Sequence, residues 1–265
     1  MNVKELFDMT GKVAIVTGGA VGLGYQMAEG LAEAGADLAI FDLNPNVGEA
    51  VKALARTGRR VLALTVDVSQ RQQVVQAVDQ VEKEFGRIDI LINDAGINDV
   101  HPIAPEGLET WEKIMAVNIT GVYLCAGAVG EVMKRQKAGS IINISSIYGL
   151  VGLDKSLYVD DLDTFFEFPA YHASKGAVAN FTRDLAANWG RFNIRANALC
   201  PATFVTDQNR HILRGSTLEK IRKRTPLGRT GGEDDLKGVA LFLASEASRY
   251  VTGQVIAVDG GWTAW

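Results

Sequence analysis

Short runs of aliphatic and β-branched residues alternate with longer stretches of helical period from one end of the chain to the other. Val13 to Val16, Asp37 to Phe41, Arg60 to Val66, Ile88 to Ile92, Ser140 to Ile144, Ile194 to Ala198 and Val255 to Val258 read as strands. Each is apolar almost without interruption, as expected of parallel strands covered on both faces. Between them, Gln26 to Ala34, Val74 to Phe85, Glu109 to Arg135, Ala177 to Trp189 and Asp235 to Leu243 repeat their apolar residues at helical spacing. Strand and helix in such alternation predict an α/β fold: a doubly wound parallel sheet with right-handed crossovers and helices on both faces. Gly35, Gly58 and Gly86 each follow a helical stretch, where a left-handed cap is needed. No repeat, low-complexity tract or Pro/Gly linker interrupts the pattern, so residues 1–265 read as a single domain.

Composition narrows the class. With 47% hydrophobic residues in 265, the chain can bury a large core. A net charge of −4, with Arg222-Lys223-Arg224 as the densest basic run, argues against a nucleic-acid partner. Cys125 and Cys200 stand in apolar surroundings without metal-ligand spacing, so no metal is expected and both read as reduced core thiols of a cytoplasmic protein. Met1 to Asp8 lacks the layout of a signal peptide, and no apolar run approaches a membrane span.

Candidate chemistry begins after the first strand, in Thr17-Gly18-Gly19-Ala20-Val21-Gly22-Leu23-Gly24. A strand, a glycine-rich turn and a helix N-terminus in that order form a cradle for a dinucleotide pyrophosphate. The missing side chains let backbone approach, and the first-turn N–H groups with the helix dipole attract the phosphates. The spacing, Gly-x-x-x-Gly-x-Gly, is one residue wider than the general fingerprint. Asp42 closes the second strand, where a carboxylate can bond the adenosine ribose hydroxyls and would repel a 2′-phosphate. With no basic residue in the turn or directly after Asp42, NAD is the expected cofactor. Asp67-Val68 after the third strand and Asn93-Asp94-Ala95-Gly96 after the fourth reach the same crevice, the first facing the adenine and the second passing close to the cofactor.

Tyr171 and Lys175 stand one helical turn apart, on one helix face. An ammonium beside a phenol favours the phenolate, which would tune the tyrosine for proton transfer near neutral pH. In isolation such a pair is an ordinary solvated helix face. Together with the glycine turn, Asp42 and Ser146, however, it makes the chain resemble the short-chain dehydrogenase/reductase family over nearly its whole length, from Gly11-Lys12-Val13 to Val258-Asp259-Gly260-Gly261.

That resemblance implies a Rossmann-type sheet holding NAD(P) and a Ser–Tyr–Lys group with an assisting Asn. Carried over by motif, Tyr171 is the general acid/base, and Lys175 depresses its pKa and holds the nicotinamide ribose. Ser146 bonds the same substrate oxygen, and Asn118 of Met115-Ala116-Val117-Asn118 holds a water that links Lys175 to solvent. Ser145 rivals Ser146, since neighbours on a strand point to opposite faces. Cofactor contacts are implied at Gly18, Ala20, Val21, Gly22, Leu23, Gly24, Asp42, Leu43, Asp67, Val68, Asn93, Ala95, Gly96, Tyr171, Lys175, Pro201, Thr203 and Thr206. Substrate contacts are implied at Ser146 and Tyr171.

The chain departs from the family pattern at three places. Asp94 stands where Asn-Asn-Ala-Gly is usual, and a carboxylate only accepts hydrogen bonds where an amide also donates. Ala202 replaces the usual glycine after Pro201. Ser146 and Tyr171 are farther apart than is typical, so residues 153–168 form an extra segment at the rim of the site. Its Asp160, Asp161, Asp163 and Glu167 would repel an anionic substrate and could bond a polyhydroxylated one, while Phe165, Phe166 and Phe168 could pack as a small cluster.

The expected activity is NAD-dependent interconversion of a secondary alcohol and a ketone on a sugar, polyol or sugar acid. The ending Ala-Val-Asp-Gly-Gly-Trp is similar to that of gluconate 5-dehydrogenase-like members. An NADP-dependent ketoacyl-type reductase and a non-catalytic dinucleotide-binding sensor are the rival readings. A homotetramer, or a dimer, is implied through the long helices 109–135 and 177–189 and the C-terminal strand, with Trp262 and Trp265 suited to a buried interface.

Overall fold

The computed structural model describes residues 1–44, 47–206 and 209–265. Seven strands form one parallel sheet in the order β3-β2-β1-β4-β5-β6-β7. They are β1 (Val13–Thr17), β2 (Asp37–Asp42), β3 (Val61–Thr65), β4 (Ile90–Asn93), β5 (Gly139–Ile144), β6 (Ile194–Pro201) and β7 (Val255–Val258). The helices are α1 (Val3–Leu6), α2 (Gly22–Glu33), α3 (Val47–Ala55), α4 (Arg71–Phe85), α5 (Leu108–Met115), α6 (Val122–Gln136), α7 (Pro169–Trp189), α8 (Gly215–Arg224) and α9 (Lys237–Ala244).

Alternation along each strand builds two core layers, which is why the strands read as continuously apolar. Ile15, Phe41, Leu91 and Ile141 face α4, α6 and the later turns of α7, against Val78, Val129, Met133 and Leu185. Val16, Ile40, Ile92 and Ile142 face α2 and α9, against Met27, Leu31, Ala240 and Leu243. Each such aliphatic side chain contributes about 1.5–3 kcal/mol by leaving water. β1 pairs with β2 on one side and β4 on the other, so the strand order reverses between β1 and β4. In an open α/β sheet a crevice opens there, beyond the carboxyl ends of the strands. Thr17, Asp42, Asn93, Ile144 and Pro201 all close strands at that edge.

The differences from the sequence expectation have physical causes. β4 begins at Ile90, because the Asp89 carboxylate is drawn to the Val13 N–H at 3.0 Å and to the Arg87 guanidinium. β3 ends at Thr65, short of Asp67. The helix expected over 109–135 is interrupted by a π-helical turn, Ala116–Gly121, of the kind common at functional sites. Gly121 fits there because a Cβ would stand 2.8 Å from Val68 Cγ2. The helical run Pro105–Gln136 is long and apolar enough, by length and composition, to cross a membrane. Its apolar face instead packs on the sheet through Cys125, Ala126, Val129 and Met133.

α7 starts at Pro169, two turns before the periodicity at Ala177 reveals it, with proline at the first position that tolerates it. α3 and α8 escaped the pattern: α8 buries only Ile221. Gly35, Gly58 and Gly86 all adopt positive φ, as expected of helix-ending glycines.

Candidate active site

The glycine turn is built for close backbone approach. A Cβ on Gly24 would lie 2.3 Å from the Gly18 carbonyl oxygen, and one on Gly18 would lie 2.9 Å from the Ala95 nitrogen. A side chain at either position would collide with backbone, so only glycine lets the turn, α2 and the loop after β4 pack this closely and leave the N-terminus of α2 bare, as a dinucleotide pyrophosphate requires. Gly22, at φ +60°, faces the Thr206 methyl, which would stand 3.6 Å from its Cβ. The loop after β6 therefore approaches the turn at Thr206. Asp42 bridges the turn and the strand it ends: one carboxylate oxygen accepts the Ala20 N–H at 2.9 Å and the other the Asn44 N–H at 2.8 Å.

Other expected contacts sort differently. Leu43 is exposed beside Asp42. Asp67 accepts the Ser69 N–H and hydroxyl, capping the turn into α4, while Val68 is buried. The Asn93 side chain is not directed at a cofactor: its amide donates to Asn143 at 2.9 Å, and Asn143 donates to Thr182. A buried amide ladder thus crosses from β4 to α7. Thr17, which sequence reasoning passed over, accepts the Asp94 and Ala95 N–H groups at 3.1 Å each and ties the ends of β1 and β4 together.

α7 delivers Tyr171 and Lys175 to the floor of the crevice, with the Lys175 Nζ 5.6 Å from the phenol ring centre. Lys175 is buried and donates to the Ile144 carbonyl at 2.8 Å. The two serines separate as strand geometry demands. The Ser145 hydroxyl donates to the Lys175 carbonyl at 2.7 Å and is structural. Ser146 accepts the Tyr148 N–H at 3.1 Å and is within hydrogen-bond reach of the Tyr171 phenol. Asn118 sits in the π-turn: its Oδ1 accepts the Ile97 N–H at 2.8 Å, and its Nδ2 donates to the Ile97 carbonyl and the Ser174 hydroxyl. A Cβ on Gly96 would lie 3.4 Å from Asn118 Oδ1 and 3.5 Å from Lys175 Nζ. The remaining Oδ1 lone pair is thus near Lys175, where a bridging water was expected.

One electrostatic expectation is corrected. Lys175 was expected to depress the Tyr171 phenol, but burial pushes it up to about 12, with the Ser146 hydrogen bond acting in the opposite sense. Burial likewise draws Lys175 below its ordinary range, opposed by Asp94. With Lys175 turned toward Ile144, desolvation of the phenol outweighs proximity of the cation. At neutral pH the cofactor-free site therefore holds a protonated phenol, ready to donate. Cys200, read as a reduced core thiol, stands at the end of β6 within reach of the Ser145 hydroxyl and the Ser146 backbone, and burial raises it.

Asp94 proves to be part of the site. Its Oδ2 would lie 2.8 Å from a Cβ on Gly24, within reach of the Gly24 N–H in the first turn of α2. The side chain keeps a partial opening to solvent. Even so, desolvation raises its carboxyl to about 7, with Lys175 pulling down and Asp42 pushing up.

The extra segment folds over this edge. Of its acidic residues Asp160, Asp161 and Asp163 are exposed and Glu167 is half-buried, and Asp160 pairs with Lys220 at 2.7 Å. The segment turns aromatic side chains inward instead, with Phe166 stacked on Tyr158 at 5.1 Å and Phe168 edge-on to Phe166 at 4.7 Å. Phe165 is exposed and outside that cluster. Of the C-terminal tryptophans, Trp262 is buried within the chain, with Arg224 over its ring, and only Trp265 stays open, at 70% exposure.

Comparison with known proteins agrees with this geometry. The sequence profile described as enoyl-(acyl carrier protein) reductase matches residues 18–263. A 2-dehydro-3-deoxy-D-gluconate 5-dehydrogenase of Dickeya dadantii (strain 3937) is 38% identical over 265 residues, covering 99% of this chain and 99% of that protein. An NAD-dependent glycerol dehydrogenase of Listeria innocua serovar 6a is 34% identical, covering 97% of this chain and 96% of its own. A crystal structure of a gluconate 5-dehydrogenase from Burkholderia cenocepacia J2315, in complex with NADP and tartrate, superposes with a TM-score of 0.90 at 36% identity, covering 100% of both chains. These relatives are named as dehydrogenases of sugar acids and of a polyol, and their names span both nicotinamide cofactors. The chain belongs to the short-chain dehydrogenase/reductase family of oxidoreductases.

Proposed function

We propose that this protein interconverts a secondary alcohol and a ketone on a sugar, polyol or sugar acid, with NAD as its cofactor. The observation that carries the reading is the group formed by buried Ser146 and Lys175 with half-buried Tyr171 at the carboxyl edge of the sheet, beside a turn whose close backbone packing admits only glycine at Gly18 and Gly24. When bound, the cofactor supplies the hydride acceptor or donor. The residues of this chain do the rest. Ser146 donates a hydrogen bond to the substrate oxygen, where negative charge develops as the carbonyl is reduced. Tyr171, protonated at neutral pH, transfers its phenolic proton to that oxygen, or takes it in the direction of oxidation. Lys175 offers hydrogen bonds to ribose hydroxyls and a positive charge that favours the transient phenolate. Asn118 holds the loop after β4 and Ser174 in register.

Asp42 supports NAD over NADP. A 2′-phosphate would meet its carboxylate, and neither Leu43 nor Asn44 offers a cation to offset the repulsion. The same argument weighs against an NADP-dependent ketoacyl-type reductase, although the Burkholderia neighbour holds NADP. The complete catalytic group weighs against a sensor without turnover. Initial rates with NAD and NADP against sugars, sugar acids, polyols and simple ketones test the proposal. Turnover of a polyhydroxylated substrate with clear preference for NAD is expected. Replacing Asp42 by serine, together with Leu43→Arg, should admit NADP. Equal efficiency with both cofactors in the unmodified protein would refute the NAD assignment.

A further inference from the structure

The segment 153–168 is fixed on both flanks of the crevice. Leu157 is buried with Ile147, Leu213, Ile221 and Trp262. Lys220 of α8 holds it through the Ser156 carbonyl and the Asp160 carboxylate. On the opposite side the His101 N–H, in the loop after β4, donates to the Glu167 carbonyl at 3.2 Å. A segment tied to α8 and to that loop, and leading from Ser146 to Tyr171, is a wall of the site rather than a free surface loop.

Its inward polar feature is a pair of phenols. The hydroxyls of Tyr158 and Tyr148 are 2.5 Å apart, Phe166 stacks behind Tyr158, and the Tyr148 ring lies 4.8 Å from that of His172, next to Tyr171. Both phenols are raised by burial; Tyr148 is raised further by the charges of Tyr158 and Tyr171, whereas the hydrogen bond to Tyr148 acts on Tyr158 in the opposite sense. One phenol must donate to the other, so the pair retains one free O–H and spare lone pairs. Two imidazoles at the same wall carry a buried unpartnered nitrogen. The Nδ1 of His172 faces the Phe168 carbonyl and that of His101 the Asp99 carbonyl, so both must donate there, leaving each buried Nε2 as a bare acceptor. Free donors and bare acceptors together match hydroxyl groups, which do both. A carboxylate only accepts and would leave those acceptors unpaired, and Lys155 and Lys220 are engaged by the Leu162 carbonyl and by Asp160 with Ser156.

We propose that this wall is the substrate-recognition element, with the Tyr158 hydroxyl, held by Tyr148, bonding a second hydroxyl of an uncharged polyol or sugar next to the reacting carbon. The inference rests on the functional reading above and deepens it.

The test compares wild type, Tyr158→Phe and Tyr148→Phe on three substrates: the best neutral polyol, its sugar-acid counterpart and a simple cyclic alcohol with one hydroxyl. Phenylalanine keeps the ring packing, and thermal melts verify that each variant is folded. The polyol kcat/KM should fall by about ten- to a hundredfold in Tyr158→Phe, mainly through KM, because a site built for a hydroxyl is left with an unpaired group. The simple alcohol and the KM for the cofactor should not change, and Tyr148→Phe should act in the same direction. If both variants affect polyol and simple alcohol alike, or neither, the wall does not recognise hydroxyls although the enzyme reading stands. A wild type that prefers the sugar acid over the neutral polyol overturns the uncharged-substrate assignment. No turnover of any alcohol or ketone overturns the functional reading itself, and this inference with it.

Discussion

Asp94→Asn offers a test in which the sign is fixed by the structure. The Asp94 carboxyl is raised from 3.8 to about 7, because its enclosure beside Gly24 penalises the charged form more than Lys175 relieves it. The folded chain therefore binds the proton more tightly than the unfolded chain. The associated stability is fully present below the unfolded value and is lost as pH rises through the folded one. Between pH 5 and pH 7 the loss is at most about 2.7 kcal/mol, at 1.36 kcal/mol for each unit. Water reaching the open side of the carboxyl trims that to about 1–2 kcal/mol. Asparagine stays neutral, and its Oδ1 can accept the Gly24 N–H. For a domain of this size, each kcal/mol moves Tm by roughly 2–4 °C. Calorimetric melts of the cofactor-free proteins at pH 5 and pH 8 should show wild type losing about 2–8 °C more than Asp94→Asn. Groups common to both proteins cancel in that difference. Parallel melting curves across the range would show that the carboxyl titrates normally and that its enclosure is not felt. The same reasoning predicts that the variant binds cofactor better than wild type above pH 7, since the carboxylate faces the turn that receives the pyrophosphate.

Three further outcomes follow from the geometry. Tyr171→Phe should lower kcat by roughly 10²–10⁴-fold while cofactor affinity, read by fluorescence titration, stays close to wild type; retention of more than about a tenth of kcat would remove Tyr171 from its role. Ser146→Ala should cost roughly 10²–10³-fold in kcat, whereas Ser145→Ala should cost about 0.5–1.5 kcal/mol of stability and little activity; equal kinetic losses would mean the two serines have been assigned wrongly. We expect a tetramer in solution through α6 and α7, where exposed Tyr123 pairs with Phe181 at 6.1 Å; a monomeric mass in light scattering at micromolar concentration would overturn it.

The sheet was readable because a parallel strand buried on both faces leaves an unmistakable apolar run, and the strand ends then pointed to the crevice. Precision was lost where function interrupts patterning. The first two turns of α7 carry Tyr171, His172, Ser174 and Lys175, polar side chains on a largely enclosed face, so periodicity recognised the helix only from Ala177. The π-turn around Asn118 is a shift in hydrogen-bond register, which no residue pattern announces. Spacing put Lys175 beside Tyr171 but carried no information on solvation, and desolvation decides the sign of the phenol's shift. The departure at Asp94 was visible as a letter, yet its contact with Gly24 arises only when β4 and α2 meet.

The extra segment shows the same limit most clearly. Its carboxylates dominate the letters, but charge is cheapest to solvate at the surface, so Asp160, Asp161 and Asp163 turn outward. What the segment brings inward is the part that gains from burial: Leu157 for the apolar cluster, and Tyr158, whose ring packs while its hydroxyl finds Tyr148. A loop's effect on substrate choice therefore follows from which of its residues can be desolvated, and for this chain that substitutes phenols for carboxylates at the rim of the site.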